Sequence, residues 1–166
     1  MDLIYKKDDR LVYEDGDWII KKFIYGITEK FNLDDYKLFQ KDNPEFVEIT
    51  SLERHGAVDI MIMPKVDGKE WTYVRNNVKK DVVYNFCIVN YFKWVKAFLD
   101  FSLDKEKIFF HSDLTPGNVF INDNFNPIVL DPDSMEWAKR DDFIMRIQKQ
   151  YMEFFDDFYR FYKNTF

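Results

Sequence analysis

Residues 111–118 have the sequence His-Ser-Asp-Leu-Thr-Pro-Gly-Asn, and a short apolar run adjoins this stretch on each side. Asp131 follows thirteen positions after Asn118, at the end of another apolar run. Asp113 offers a carboxylate that can accept a hydroxyl proton, and Asn118 and Asp131 offer two oxygen ligands for a divalent metal ion. Phosphoryl transfer from a nucleotide needs these groups and little covalent chemistry besides them. The stretch therefore indicates phosphotransferase chemistry.

The size and charge of the protein narrow the classes to consider. With 166 residues, 46% of them apolar and 33% charged, the sequence suits one compact domain or two lobes that share a cleft. The formal net charge of −6 argues against nucleic acid as the main partner, because binding phosphate backbones requires a basic surface.

Three features bear on the compartment. A single cysteine, Cys87, excludes an internal disulfide and fits a reducing environment. Residues 1–10 contain no apolar core of signal-peptide length. The most apolar stretch, residues 82–99, is interrupted by asparagine and lysine, so we expect no membrane-spanning segment. These features predict a cytoplasmic protein.

The first part of the sequence is predicted to be rich in strands. Asp15-Gly16 is a strong hairpin signal between apolar runs at residues 11–14 and 18–23. The other predicted elements are a short strand at residues 3–5, a helix at 32–41 capped by Asn32 and ended near Asn43-Pro44, and strands at 46–49 and 58–63.

The second part is predicted to be mainly helical. Residues 64–68 break the pattern and mark a connector. The predicted elements after it are a buried helix at 81–101, short strands at 108–110, 119–121 and 128–130, and a final amphipathic helix from about residue 141. We therefore expect an α+β protein, a single domain of residues 1–166, with a β-rich lobe at 1–66 and an α-rich lobe at 67–166.

Residues 111–121, with the sequence HSDLTPGNVFI, resemble the catalytic loop of the protein-kinase-like superfamily. The resemblance is closest to the aminoglycoside phosphotransferase and choline kinase branch, whose loops typically have the pattern H-G-D-x-x-P-x-N. It implies a two-lobed fold with a small antiparallel sheet and one helix in the N-terminal lobe, and a reduced, mainly helical C-terminal lobe. It also implies that Asp113 is the catalytic base, that Asn118 and Asp131 bind Mg²⁺, and that His111 fixes the loop by a hydrogen bond to the backbone.

Asp131-Pro132-Asp133 stands where most kinases have D-F-G. The small-molecule branch often has D-x-D or D-x-E at this place. Asp133 is therefore either a second, weaker metal ligand or a solvated carboxylate.

Residues 19–22, Ile-Ile-Lys-Lys, resemble the V-A-I-K strand of kinases. Strand alternation puts Ile19 and Lys21 on one face, so that Ile19 covers the adenine and Lys21 reaches the α- and β-phosphates of ATP. Lys22 is the alternative if the register is shifted by one residue. The resemblance also implies an acid on the following helix that pairs with this lysine. Asp34 is assigned this role, with Glu29 and Asp35 as rivals.

Residues 63–68 resemble the hinge that binds adenine through one backbone C=O and, two residues later, one N–H. Proline keeps its carbonyl but has no N–H, so Pro64 is the predicted acceptor and Val66 the predicted donor. A glycine-rich phosphate loop is missing, because residues 6–10, KKDDR, contain no glycine. Lys6, Lys7 or Arg10 either supplies positive charge in its place or belongs to a solvated turn.

The predicted function is transfer of the γ-phosphate of ATP, with Mg²⁺, to a hydroxyl group of a small molecule or saccharide. The sequence has no A-P-E motif, and about 35 residues follow Asp131, so we expect no peptide-docking half. A protein serine or threonine as acceptor, a catalytically weak binding module of pseudokinase type, and nucleotidyl transfer remain alternatives. Asp141 or Asp142 is either an anchor beneath the catalytic loop or a helix-terminal acid. The expected partners are the nucleotide and a hydroxyl-bearing acceptor, not nucleic acid or membrane.

Overall fold

The computed structural model describes residues 1–28, 30–75 and 80–163, and the side chains of residues 72, 75, 80–87 and 155–163 lie outside that description. Its N-terminal lobe is built on a five-stranded antiparallel sheet with the strand order β1-β2-β3-β5-β4. The strands are β1 (Asp2–Lys7), β2 (Arg10–Asp15), β3 (Trp18–Phe23), β4 (Ser51–His55) and β5 (Val58–Pro64).

Two tight turns set the register of the first three strands. Asp15 pairs with Trp18 across β2 and β3, so the connecting turn is Gly16-Asp17, and Gly16 has a φ of 62°. Glycine adopts this left-handed conformation without steric cost, which explains the hairpin. Lys7 pairs with Arg10 across β1 and β2, which leaves a two-residue turn of Asp8 and Asp9.

Helix α1 (Leu33–Asp42) confirms the helix predicted at residues 32–41. The side chain of Asn32 accepts hydrogen bonds from the backbone N–H groups of Asp34 and Asp35, at 3.0 Å each. These bonds satisfy donors that a helix start otherwise leaves unpaired. Tyr36 and Phe39 form the buried face of the helix, so the cap and the apolar pattern together fix its rotation.

The prediction of a strand at residues 46–49 is wrong. Phe46 makes only an isolated parallel bridge to Val129, and the next strand begins at Ser51. Val47 N–H donates to Val129 O at 3.0 Å, and Val129 N–H donates to Glu45 O at 2.7 Å. Phe46, Val47 and Ile49 are buried. Their apolar character reflects burial in the core rather than strand pairing, and composition alone does not separate the two.

Within the described residues, the C-terminal lobe combines three α-helices with two small sheets. The elements are β6 (Lys69–Glu70), α2 (Trp71–Arg75), α3 (Lys80–Phe101), β7 (Lys107–His111), β8 (Val119–Ile121), β9 (Pro127–Val129), β10 (Met135–Lys139) and α4 (Arg140–Lys163). The sheets have the orders β6-β8-β9 and β10-β7. The predicted helices at 81–101 and from 141 are confirmed, whereas β6, α2 and β10 were not predicted. The prediction that the helix at 81–101 is buried is wrong, because Val89, Phe92 and Leu99 of α3 are exposed.

Phe39 joins the two lobes into one core. Its ring lies 4.9 Å from the ring of Phe46, 5.6 Å from that of Phe98 and 5.9 Å from that of Phe109, measured between centroids. These separations are those of favourable aromatic pairs. Truncating a buried phenylalanine to alanine typically costs about 3–5 kcal/mol. The position of α1 relative to the C-terminal lobe is therefore fixed by packing.

Within the described ranges, no helix is both long and apolar enough to cross a membrane. The side chain of Cys87 lies outside the described residues.

Candidate functional site

A cleft of about 730 Å³ lies between the sheet and the C-terminal lobe. Both lobes line it, and four residues predicted to bind the nucleotide are among its walls: Ile19, Lys21, Pro64 and Val66. The C-terminal lobe contributes Phe120, Leu130 and Asp131. The cleft is large enough for a nucleotide-sized ligand.

His111 lies at the end of β7 and is fully buried. Its Nε2 is 2.8 Å from Leu130 O, and since a carbonyl only accepts, this nitrogen carries the proton and donates it. Burial lowers the pKa of His111, against the smaller opposing effects of the Leu130 hydrogen bond and of nearby carboxylates. The ring is therefore neutral at neutral pH. It ties the start of the loop to the residue before Asp131.

The loop is also held from below by Gln150, and of the two alternatives for Asp141 and Asp142 the structure favours the helix-terminal acid. Gln150, buried on α4, donates through Nε2 to His111 O at 2.9 Å. Asp141 and Asp142 are exposed in the first turn of α4. The anchor comes from the third turn of this helix because that is where its buried face passes under β7. On the other side of the loop, Ser112 N–H donates to Ser134 O at 2.8 Å.

Asp113 and Asn118 meet at the end of the loop. Asn118 Nδ2 donates to Asp113 Oδ2 at 3.0 Å and to Asp113 O at 2.8 Å. Leu130 N–H donates to Asn118 O at 2.8 Å, which sets this pair beside the end of the cleft where Leu130 and Asp131 stand. The Asp113 residue is exposed. Since the amide nitrogen of Asn118 makes both bonds, its amide oxygen is the atom a cation could bind.

Lys21 crosses the cleft to the C-terminal lobe. Its Nζ donates to Asp131 Oδ1 at 2.5 Å and to Asp133 Oδ1 at 2.6 Å. Burial by itself raises the pKa of Asp131, but the Lys21 ammonium, with His111 and Arg10, outweighs burial and holds this pKa below its ordinary value. Asp131 is therefore ionised at neutral pH and available as an anionic ligand.

Asp34 does not pair with Lys21, which corrects the sequence assignment. Asp34 is exposed in the first turn of α1. Asp35 accepts a hydrogen bond from Trp137 Nε1 at 2.8 Å, and Glu29 lies outside the described residues. The buried residues of α1 are Tyr36 and Phe39, and the Tyr36 hydroxyl donates to Val47 O at 2.5 Å.

Asp133 is not a solvated carboxylate. Its side chain is 3% exposed and pairs with Lys21 and with Arg10, whose Nη1 lies 3.2 Å from Asp133 Oδ2. The role of Asp133 as a second metal ligand stays a prediction, since both Asp131 and Asp133 contact the same two cations.

The register of β3 favours Lys21 over Lys22. Lys21 is buried in the cleft, whereas Lys22 Nζ lies on the other face, 4.9 Å from the centre of the Tyr13 ring.

In the connector of residues 64–68, Lys65 N–H donates to Asp17 O at 2.8 Å. Successive backbone groups of an extended segment point to opposite sides. The Pro64 C=O belongs to the same trans peptide group as the Lys65 N–H and therefore faces away from Asp17.

The donor set fits a magnesium ion that keeps ligands from solvent or phosphate. Asn118 offers an amide oxygen and Asp131 a carboxylate, and Mg²⁺ is commonly held by one or two protein oxygens plus phosphates and water. In the part of the protein that the structure describes, no three histidine, cysteine, aspartate or glutamate residues form a dedicated metal cage.

Sequence reasoning missed Gln150 and Phe120 as site residues and left Arg10 open. Phe120 alternates with buried Val119 and Ile121 along β8. The alternation of a strand therefore indicated that the Phe120 side chain points to the face opposite these two residues. For Gln150, a polar residue on the apolar stripe of α4 was the available signal.

No protein-family model matches this sequence, and no curated protein does. Among solved structures, the protein is similar to the Cydia pomonella granulovirus kinase PK-1, with a TM-score of 0.57 and 12% identity over 83% of this sequence and 52% of that one. The PknI kinase domain of Mycobacterium tuberculosis gives a TM-score of 0.49 and 13% identity, over 80% of this sequence and 58% of that one.

The likeness to PK-1 shows a protein-kinase-like fold, so the predicted two-lobed α+β fold is confirmed. The matched region spans about half the length of that kinase, 52%. The more specific likeness to the aminoglycoside phosphotransferase branch stays a prediction.

Proposed function

We propose that this protein, on its protein-kinase-like fold, is an ATP- and Mg²⁺-dependent phosphotransferase that transfers the γ-phosphate to a hydroxyl group. The observation that carries the proposal is the meeting of Lys21 with Asp131 across the cleft, 2.5 Å between Nζ and Oδ1, next to the hydrogen-bonded Asp113 and Asn118. This arrangement would supply a phosphate-binding cation, two metal ligands and a base in or beside one end of a nucleotide-sized cleft.

The cleft walls suit a purine. Ile19 and Phe120 come from opposite lobes and offer apolar surfaces for the two faces of the base. The Pro64 C=O and Val66 N–H offer one acceptor and one donor to its edge, as adenine requires. Lys21 would then contact the α- and β-phosphates.

A bound magnesium ion would neutralise charge on the transferring phosphate. Asn118 and Asp131 would hold it through one amide and one carboxylate oxygen. Asp113 would accept the proton of the acceptor hydroxyl. Its hydrogen bond from Asn118 Nδ2 orients the carboxylate for this purpose.

For the acceptor we propose a small molecule or saccharide, on the strength of the resemblance of residues 111–118 to the aminoglycoside phosphotransferase and choline kinase loops. A protein serine or threonine is the alternative acceptor. An acceptor screen should include aminoglycosides, amino alcohols, sugars and a generic protein substrate.

The test is turnover of γ-labelled ATP with Mg²⁺ in the wild type, in Asp113→Asn and in the control Asp123→Asn. Loss of a general base lowers the rate by about 10²–10⁴-fold, so we expect this loss in Asp113→Asn alone. Asp123 is an exposed acid in the turn between β8 and β9. Undiminished turnover in Asp113→Asn would exclude the proposed role of Asp113.

A binding module is the second candidate, favoured by the glycine-free turn of Asp8 and Asp9, which cannot cradle phosphates as a glycine-rich loop does. Thermal unfolding separates the candidates. A phosphotransferase gains stability from ATP only when Mg²⁺ is present and turns ATP over. A module that binds nucleotide or a protein partner without turnover would support the second candidate.

A further inference from the structure

Arg10 reaches the same end of the cleft as Lys21. It is the first residue of β2, directly after the Asp8-Asp9 turn, and it lines the cleft. Its guanidinium lies 5.5 Å from the centre of the Phe23 ring, a cation–π contact that helps to hold the group at this place. Lys6 and Lys7, the other cations of this segment, are exposed in β1. Arg10 alone of the three turns inward.

Asp133 contacts both cations, one with each oxygen. Its Oδ1 accepts from Lys21 Nζ at 2.6 Å, and its Oδ2 lies 3.2 Å from Arg10 Nη1. The Asp133 side group is 3% exposed. A carboxylate buried to this degree is tolerated because it is paired with positive charge. It holds Lys21 and Arg10 side by side.

Arg10 keeps donors for a further anion. Its contacts with Asp133 and with Asp131, at 3.2 and 3.8 Å, both use Nη1. Its Nε is buried and has no hydrogen-bond partner among the residues that the structure describes, whereas the side chain as a whole is 27% exposed and can be reached from the cleft. A guanidinium has five N–H donors in a planar fork that matches phosphate oxygens. The group is thus oriented by protein contacts and not saturated by them.

We infer that Arg10 is a second phosphate-binding residue and that Asp133 is a positioning residue for Arg10 and Lys21. This inference rests on the proposed nucleotide site and assigns it a ligand class, a nucleoside di- or triphosphate. The positive charge of Arg10 replaces the backbone N–H groups of a glycine-rich loop. Asp133 replaces the helical acid that α1 does not supply, while Asp131, which contacts the same two cations, would hold the metal ion.

The first experiment is calorimetric binding to the wild type, Arg10→Gln and Lys7→Gln, with Mg²⁺ present. The ligands are ATP, ADP, adenosine and inorganic tripolyphosphate. Arg10→Gln should weaken ATP and tripolyphosphate about 10- to 100-fold, as for the loss of one charge-assisted hydrogen bond, and leave adenosine unchanged. Lys7, which pairs with Arg10 across the turn, should have no effect. Unchanged ATP affinity in Arg10→Gln, or an equal loss for adenosine, overturns the inference.

The second experiment separates positioning from metal binding by Asp133. Asp133→Asn should weaken ATP binding without changing the Mg²⁺ concentration that gives half-maximal binding, whereas Asp131→Asn should raise that concentration. The double variant Arg10→Gln/Asp133→Asn should lose less affinity than the two single losses combined, because both act on one guanidinium. If Asp133→Asn alone does not fold, the double variant still allows a measurement, because it removes one positive and one negative charge together. A raised Mg²⁺ requirement in Asp133→Asn, or additive losses in the double variant, overturns the positioning role.

The outcomes distinguish this inference from the proposed function. Wild-type protein that binds neither ATP nor adenosine would overturn both. Wild-type protein that binds and turns over ATP, with Arg10→Gln indistinguishable from it, would overturn the inference alone.

Discussion

On the C-terminal side of the cleft, residues 111–118 are held by hydrogen bonds to backbone atoms, whereas on the N-terminal side Lys21 and Arg10 are held by carboxylates. The loop bonds come from His111, Gln150 and Ser112 and involve uncharged groups. The Lys21 and Arg10 contacts are ion pairs that run from one lobe to the other.

The difference predicts two kinds of response to perturbation. Hydrogen bonds between buried neutral groups depend on geometry and little on ionic strength. Ion pairs depend on the protonation of their carboxylates, and the attraction of a charged ligand to such a cluster depends on ionic strength. Changes on the loop side should affect stability and turnover, and changes on the phosphate side should affect nucleotide affinity.

The largest effect is expected for Gln150→Leu, which leaves the buried His111 carbonyl without its donor. An unsatisfied buried polar group costs about 1–3 kcal/mol. The cost is partly offset because Gln150 Oε1, which has no hydrogen-bond partner among the described residues, is removed as well. Chemical denaturation measures the free energy of unfolding. The control is Gln148→Leu, an exposed glutamine on the same helix. Equal stability of the two variants would remove Gln150 as the loop anchor.

A smaller effect is expected from pH, through His111. Its pKa is lowered by burial in the folded state and is about 6.5 when unfolded. The unfolded protein therefore takes up the proton first, and stability that is complete above about pH 6.5 declines as the pH falls below it, by at most about 1.4 kcal/mol per pH unit. His111→Gln should remove this decline, and its amide can still donate to Leu130 O.

The matched control for this pH profile is His55→Gln. His55 is exposed on β4, and its removal should leave the profile as in the wild type. Free energies of unfolding between pH 7.5 and 5, measured by denaturant titration at about half-unit steps, provide the comparison. A wild-type profile that is flat across this range would contradict the buried, neutral state of His111.

The smallest effect is expected from salt and is confined to the phosphate side. Raising the ionic strength from about 0.1 M to about 1 M shortens the screening length from about 10 Å to about 3 Å. We expect ATP to bind roughly three- to tenfold more weakly at the higher ionic strength, because screening reduces its attraction to Lys21 and Arg10. Adenosine binding serves as the uncharged reference. If ATP and adenosine lost affinity equally at high salt, the charges of Lys21 and Arg10 would not contribute to ATP binding.

Local sequence patterns predicted much of the fold and part of the site. The Asn32 cap, the hairpin after β2 and the alternation that turns Lys21 inward all depend on neighbours within a few residues. The same reasoning failed for residues 46–49, because an apolar run has the same composition whether it pairs in a sheet or fills a core. It failed for Asp34 because the rotation of α1 is set by the packing of Tyr36 and Phe39.

By itself the sequence determined which chemical groups are available: a carboxylate, an amide and a second carboxylate at kinase-like spacing, and a lysine on an alternating strand. Only the tertiary structure decided which of them meet. Lys21 is separated from Asp131 and Asp133 by 110 and 112 residues, and Gln150 from His111 by 39. Contacts over such distances depend on how the two lobes pack, and no short-range preference of the sequence encodes them.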